Sequence, residues 1–177
     1  EEKTNKMSQI LHIIAYTILM FVFYSFCKVN TKKKYEKTFW ILAFIPILVF
    51  SIVEGCRYNR GVDYPTYAYR FIHLSPLEEP QILFLWLMQL LKSIGFDTVG
   101  AFITYSFLFI TGTFFYINNT YNRKEAQWMY FFAILAMTLR AESQIRQFIA
   151  QPFIFASIPF IINKKWIPAI CLILAAI

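Results

Sequence analysis

Two apolar runs on either side of a lysine-rich segment constrain the fold of this chain more than any other feature. Residues 10–26 and residues 39–53 are almost entirely apolar, and about 17 to 25 such residues suffice to cross the hydrocarbon core of a bilayer as a helix. The chain is 58% hydrophobic and only 15% charged, well outside the range of soluble domains. The sequence therefore predicts an all-α, polytopic transmembrane bundle.

The lysine-rich segment sets the orientation of the bundle. Residues 28–37 carry five lysines against a single acid, Glu36, and such loops stay on the cytoplasmic side. The second helix then runs outward, with Pro46 as a predicted kink. Residues 54–67, which are rich in charges, glycines and tyrosines, are expected on the outer face.

Residues 55–95 form the first large outer loop in this interpretation. Tyr64 and Pro65 resemble a helix start, with the proline at the first helical position. In residues 81–93, the polar side chains Gln81, Gln89 and Lys92 fall on one stripe at helical spacing. We expect this amphipathic helix to lie in the outer membrane interface, with Leu83, Trp86 and Leu90 toward lipid or protein. A short transmembrane helix is the alternative.

The charge balance favours the interface helix over the crossing helix. If residues 81–93 do not cross, the inner loops carry a net charge of +7 and the outer side is neutral, which accounts for the whole formal charge of +7. If residues 81–93 crossed the membrane, two pairs of basic residues would lie on the outer side instead of the inner side. The chain is then a single transmembrane domain, residues 1–177, with spans at about residues 10–27, 39–54, 98–117, 127–140, 148–162 and 166–177.

This topology brings most of the outer acids and bases to one membrane face. Two arginines, Arg140 and Arg146, flank a short outer turn, and guanidinium groups so close to hydrocarbon suit the phosphates of a lipid-linked substrate. Structural roles compete with this interpretation. Asp63 can cap a helix, Arg57 can pair with Glu54, and Arg140 can bind lipid headgroups.

Two motifs in order then match a known family. The first is Gly55-x-Arg57-x3-Gly61-x-Asp63-Tyr64-x2-Tyr67, which is followed by Glu79-Pro80 and a helix ending at Gly95. The second is the later Ile145-Arg146-Gln147-x2-Ala150. Over residues 39–162 the chain resembles the EpsG family of exopolysaccharide polymerases, which are Wzy-like. At the level of fold it is also similar to the GT-C class of lipid-dependent glycosyltransferases. Such proteins have further spans, so either the chain is expected to continue beyond residue 177 or a second chain is expected to supply the rest.

The resemblance implies an enzyme that joins sugar units carried on undecaprenyl pyrophosphate at the outer face of the bacterial cytoplasmic membrane. A carboxylate would take the proton of the acceptor hydroxyl, and arginines would stabilise the leaving pyrophosphate. The candidate catalytic residues are Asp63, then Glu54 and Glu78. The candidate substrate-binding residues are Arg57, Arg60, Tyr64, Tyr67, Arg140, Arg146 and Gln147. Tyr58 and Tyr69 are further tyrosines that suit sugar faces.

The expected partners are the lipid-linked oligosaccharide, the growing glycan, membrane lipids and other glycan-assembly proteins, with no nucleic acid. No cofactor is predicted. Three cysteines without paired spacing indicate neither a disulfide framework nor a metal site, and a role for a divalent metal has no support in the sequence. Two other classes of function stay open: a lipid-linked oligosaccharide transporter, and a non-catalytic membrane subunit of a glycan-assembly complex.

Overall fold

The computed structural model describes residues 2–30, 36–56, 63–73, 82–141 and 145–176. Within these residues all regular structure is helical, which confirms the predicted all-α fold. The helices are α1 (Glu2–Asn30), α2 (Glu36–Gly55), α3 (Tyr64–His73), α4 (Ile82–Ser93), α5 (Thr98–Thr120), α6 (Arg123–Ala141), α7 (Ile145–Ile162) and α8 (Trp166–Ala175).

Three of the described helices are long and apolar enough to cross a membrane. They are Ile10–Val29, Thr38–Gly55 and Thr98–Thr120, with 20, 18 and 23 residues. At 1.5 Å per residue these stretches are about 27 to 35 Å long, against a hydrocarbon core of about 30 Å. They contain the predicted spans over residues 10–27, 39–54 and 98–117. Spans in α6, α7 and α8 stay a prediction.

Helices α1 and α2 form an antiparallel pair. At one end the rings of Phe26 and Phe39 meet edge to face, with centroids 5.9 Å apart. At the other end the Tyr16 hydroxyl donates a hydrogen bond to the Glu54 carboxylate. The lysine-rich connection between the two helices therefore lies at the Phe26 end, opposite Glu54.

Helix α5 is the centre of the bundle. It runs antiparallel to α2, since Phe50 stacks on Phe109 at the middle of α5, whereas Gly55, the last residue of α2, lies against Ile103 nearer the start of α5. It runs parallel to α7, and Gly112 allows the close approach of Pro152, whose Cα would lie 2.7 Å from an added Cβ. Small residues at such contacts are typical of helix packing in membranes.

An aromatic core closes the Phe26 end of the bundle. The ring of Tyr130 in α6 lies 4.7 Å from that of Phe114 and 5.4 Å from that of Phe26, measured between centroids. The Cys27 thiol donates to the Gln127 carbonyl oxygen at 3.3 Å. Helix α6 therefore starts at the end where α5 finishes, and α1, α2, α5, α6 and α7 run alternately in opposite directions.

The segment between α2 and α5 begins and ends at the same end of the bundle, because the last residue of α2 contacts the second turn of α5. With 10 and 12 residues, α3 and α4 are about 15 and 18 Å long. Both pack on the first two turns of α5 through one buried cluster. Two short helices thus lie between α2 and α5 at one end of the bundle, and the assignment of this end to the outer face stays a prediction. The angle of α4 to the bilayer plane stays a prediction.

The turn from α4 into α5 follows from two residues. Gly95 has φ +92°, a left-handed conformation that glycine adopts without a steric penalty. The N–H groups of Gly95 and Phe96 bond back to the carbonyls of Lys92 and Leu91, both at 3.0 Å, a standard helix-ending motif. Asp97 then caps α5 by accepting from the Gly100 N–H at 2.8 Å.

Candidate functional site

The candidate site lies at the end of the bundle where α2 finishes and α3, α5 and α7 begin, which we call the polar end. Gly55 lies against Ile103 of α5. The Tyr64 ring stacks on the neighbouring residue of α5, Phe102, with centroids 4.7 Å apart. The two predicted acids Glu54 and Asp63 each directly precede one of these contacts. The structure thus brings the residues that directly follow these acids to the same turn of α5.

Glu54 is a fully buried acid in the last turn of a strongly apolar helix. Its exposed fraction is 0%, and the Tyr16 hydroxyl donates to its Oε1 at 2.7 Å. An ionisable group removed from water is costly unless hydrogen bonds hold it. The tyrosine on α1 therefore contributes to holding this acid inside the bundle.

Asp63 is half-buried and directly precedes α3. Its carbonyl oxygen accepts a hydrogen bond from the Tyr67 N–H at 3.1 Å, which is the backbone pattern of an N-cap residue. The helix thus begins at Tyr64, one residue before the proline predicted as its first position. An N-cap position agrees with the structural role weighed for Asp63, and a role in proton transfer stays a prediction.

The tyrosines of α3 divide into two buried rings and one exposed ring. Tyr64 and Tyr67 are 6% and 5% exposed, and Tyr67 packs edge to face on Phe84 of α4. Both rings therefore contribute to packing, and their contact with a sugar stays a prediction. Tyr69 is 55% exposed, and its ring lies 4.2 Å from that of His73.

The structure describes the remaining predicted site residues only in part. Arg57, Arg60, Glu78 and Tyr58 lie outside the described residues. Arg140 lies in the last turn of α6, and Arg146 and Gln147 lie in the first turn of α7, but their side chains also fall outside the described part. The next turn of α7 lies at the polar end, because Ile149 is buried in the same cluster as Tyr64 and Phe102.

Two residues of the site region are not among the candidate catalytic or substrate-binding residues predicted from the sequence. The guanidinium of Arg70 lies over the ring of Tyr67, 5.4 Å from its centroid. Tyr16 reaches Glu54 across 38 positions of the chain. Tyr16 is a polar residue inside a mostly apolar span, which is a signal in the sequence that it has a polar partner. The identity of that partner depends on how α1 and α2 are rotated about their axes, which the sequence does not show.

Among the described residues, no group of three or more His, Cys, Asp or Glu side chains is placed to hold a metal ion. Cys27 is buried at the Phe26 end, whereas Cys56 is exposed next to the polar end.

An all-α bundle with three helices of membrane-spanning length and a buried acid at one end defines a helical membrane protein. The comparisons with known proteins then give its family. The chain belongs to the EpsG family, whose model matches residues 40–177. Membership indicates an exopolysaccharide polymerase-type function. None of the curated proteins or solved structures compared with the chain matches it.

Proposed function

We propose that the chain is a glycosyltransferase of the polymerase type, which joins sugar units carried on undecaprenyl pyrophosphate at the outer face of the bacterial cytoplasmic membrane. The observation that carries the proposal is that Gly55 and Tyr64, which directly follow the acids Glu54 and Asp63, contact one turn of α5 in a chain whose family is a polymerase family. The first turn of α7, which contains Arg146, begins at the same end.

The reaction is a substitution at the anomeric carbon of the donor sugar. The acceptor hydroxyl oxygen forms a bond to that carbon while the bond from carbon to the pyrophosphate oxygen breaks. The hydroxyl proton passes to a carboxylate, for which Asp63 is the first candidate because it is half-buried and therefore reachable. Glu54 and Glu78 are the other candidates.

The leaving group is the polyprenyl pyrophosphate, on which negative charge accumulates in the transition state. Arginine side chains near hydrocarbon stabilise such charge strongly, because the low dielectric weakens screening. Arg57, Arg140 and Arg146 are the proposed donors, with Arg60 and Gln147 binding the same substrate. Of the three tyrosines of α3, Tyr69 is the one that an acceptor glycan can reach without displacing the core.

Sidedness is the second part of the proposal. The lysine-rich connection leaves α1 and enters α2 at the end opposite Glu54, and lysine-rich connections stay cytoplasmic. The polar end therefore faces outward, where lipid-linked repeat units are delivered.

The experiment is polymerisation by the purified protein from undecaprenyl-pyrophosphate-linked repeat units. The expected result is a ladder of products that grows with time, with release of free undecaprenyl pyrophosphate. If the protein binds the lipid-linked units and moves them between leaflets without making longer products, it is a transporter. If it makes no product and moves no lipid, it is a non-catalytic subunit.

A further inference from the structure

The N-terminal helix α1 contributes side chains to the polar end although it lies outside the family match. The match begins at residue 40, whereas α1 covers Glu2–Asn30. Its Tyr16 hydroxyl donates to Glu54 Oε1 at 2.7 Å. This contact is the link between α1 and the candidate site.

Tyr16 is itself held by a neighbour on the same face of α1. His12 lies one helical turn earlier, and its ring meets the Tyr16 ring edge to face, with centroids 4.3 Å apart and an angle of 75° between the planes. Residues four apart on a helix face the same side, so His12 restricts the positions that the Tyr16 ring can take. The three residues form a connected series, His12 to Tyr16 to Glu54.

We propose that Tyr16 is a positioning residue of the polymerisation reaction: it fixes the Glu54 carboxylate at the polar end, and His12 fixes Tyr16. This inference rests on the proposed function. The bond from Tyr16 orients Glu54, which is itself fully buried. It thereby holds the end of α2 from which the chain leads to Asp63. Groups that act on a substrate need such support, because small displacements of a reacting group reduce its rate strongly.

The test removes one hydroxyl at a time from α1. Tyr16→Phe should lower kcat roughly 10-fold, because the end of α2 that leads to Asp63 is then held less firmly, and a general base itself contributes about 10²- to 10⁴-fold. The KM for the lipid-linked donor should stay near the wild-type value, because the arginines that bind the pyrophosphate are unchanged. The matched control is Tyr24→Phe, on the same helix, where the ring is 48% exposed and kcat should be unchanged.

A double-mutant cycle separates positioning from general stability. In a Glu54→Gln background, Tyr16→Phe should have no further effect on kcat, because its action passes through the carboxylate. An equal loss in both backgrounds would overturn the proposal, as would wild-type kcat in Tyr16→Phe. His12→Phe, which retains a ring against Tyr16, should restore most of the activity that His12→Ala loses. Failure of His12→Phe to do so would refute the role given to His12.

The failure of this inference is distinguishable from the failure of the proposed function. If wild-type protein makes no polymer from lipid-linked units, the polymerase proposal itself is wrong. If wild-type protein polymerises and the α1 variants do the same at wild-type rates, the polymerase stands and only the role of α1 is refuted.

Discussion

The contact between Gly55 and α5 is a specific point at which the arrangement of the polar end can be broken. A Cβ added at Gly55 would lie 2.5 Å from Ile103 Cα and 2.6 Å from Ile103 N. Because these are backbone atoms, no change of rotamer relieves the overlap, and the helices must separate. Overpacking of this kind costs about 1–3 kcal/mol. For a chain of this size, the Gly55→Ala variant should melt roughly 2–12 °C below the wild type.

The matched control is Gly100→Ala, one turn before Ile103 on α5. An added Cβ there would lie 3.2 Å from Asp97 Oδ1 and 3.3 Å from the Phe96 ring, and both side chains can move slightly. Alanine is also favoured over glycine inside a helix by about 1 kcal/mol. Thermal unfolding in detergent should therefore show a much smaller change for Gly100→Ala. Equal melting temperatures for Gly55→Ala and the wild type would refute the described packing of α2 on α5.

Two further predictions concern orientation and substrate binding. In a Cys171→Ser background, a membrane-impermeant thiol reagent applied to intact cells should label Cys56, which is exposed beside the polar end. The further substitution Cys56→Ser should abolish labelling, because Cys27 is buried. Labelling that persists at Cys27 would show that the topology is inverted. Arg146→Lys keeps the charge but loses the planar guanidinium that binds two phosphate oxygens at once. Donor affinity and turnover should therefore fall together by about 10- to 100-fold, which corresponds to the loss of one charged hydrogen bond. Donor binding at wild-type strength would show that Arg146 does not bind the donor. The control is Arg123→Lys, at the other end of the bundle.

Three of the predicted spans, in α1, α2 and α5, coincide with helices long and apolar enough to cross a membrane, because long apolar runs are a strong signal of membrane crossing. The sequence does not predict which face of α4 is buried. Leu83, Trp86 and Leu90 are predicted to face lipid or protein, and the described side chains of α4 that enter the core are Phe84, Met88 and Leu91, while Trp86 is 60% exposed. In a membrane both the lipid and the protein core accept apolar groups, so hydrophobicity does not distinguish the two faces.

The same limit applies to the candidate site. Counting charges assigns the two acids to one membrane face, and the residues that directly follow Glu54 and Asp63 contact one turn of α5. A shared site for the two acids stays a prediction. The burial of Tyr64 and Tyr67 depends on which way α3 is rotated, and the hydrogen bond from Tyr16 to Glu54 depends on the packing of α1 against α2. Neither is encoded in the local pattern of residues.

Asp63→Asn tests the central claim most directly. Asparagine has the size of aspartate and also caps helices, but it does not accept a proton at neutral pH. We expect the purified variant to fold and to bind lipid-linked repeat units like the wild type, while its rate of polymer formation falls by about 10²- to 10⁴-fold. Polymer of wild-type length and amount from a folded Asp63→Asn sample would contradict the account and leave Asp63 as a helix cap.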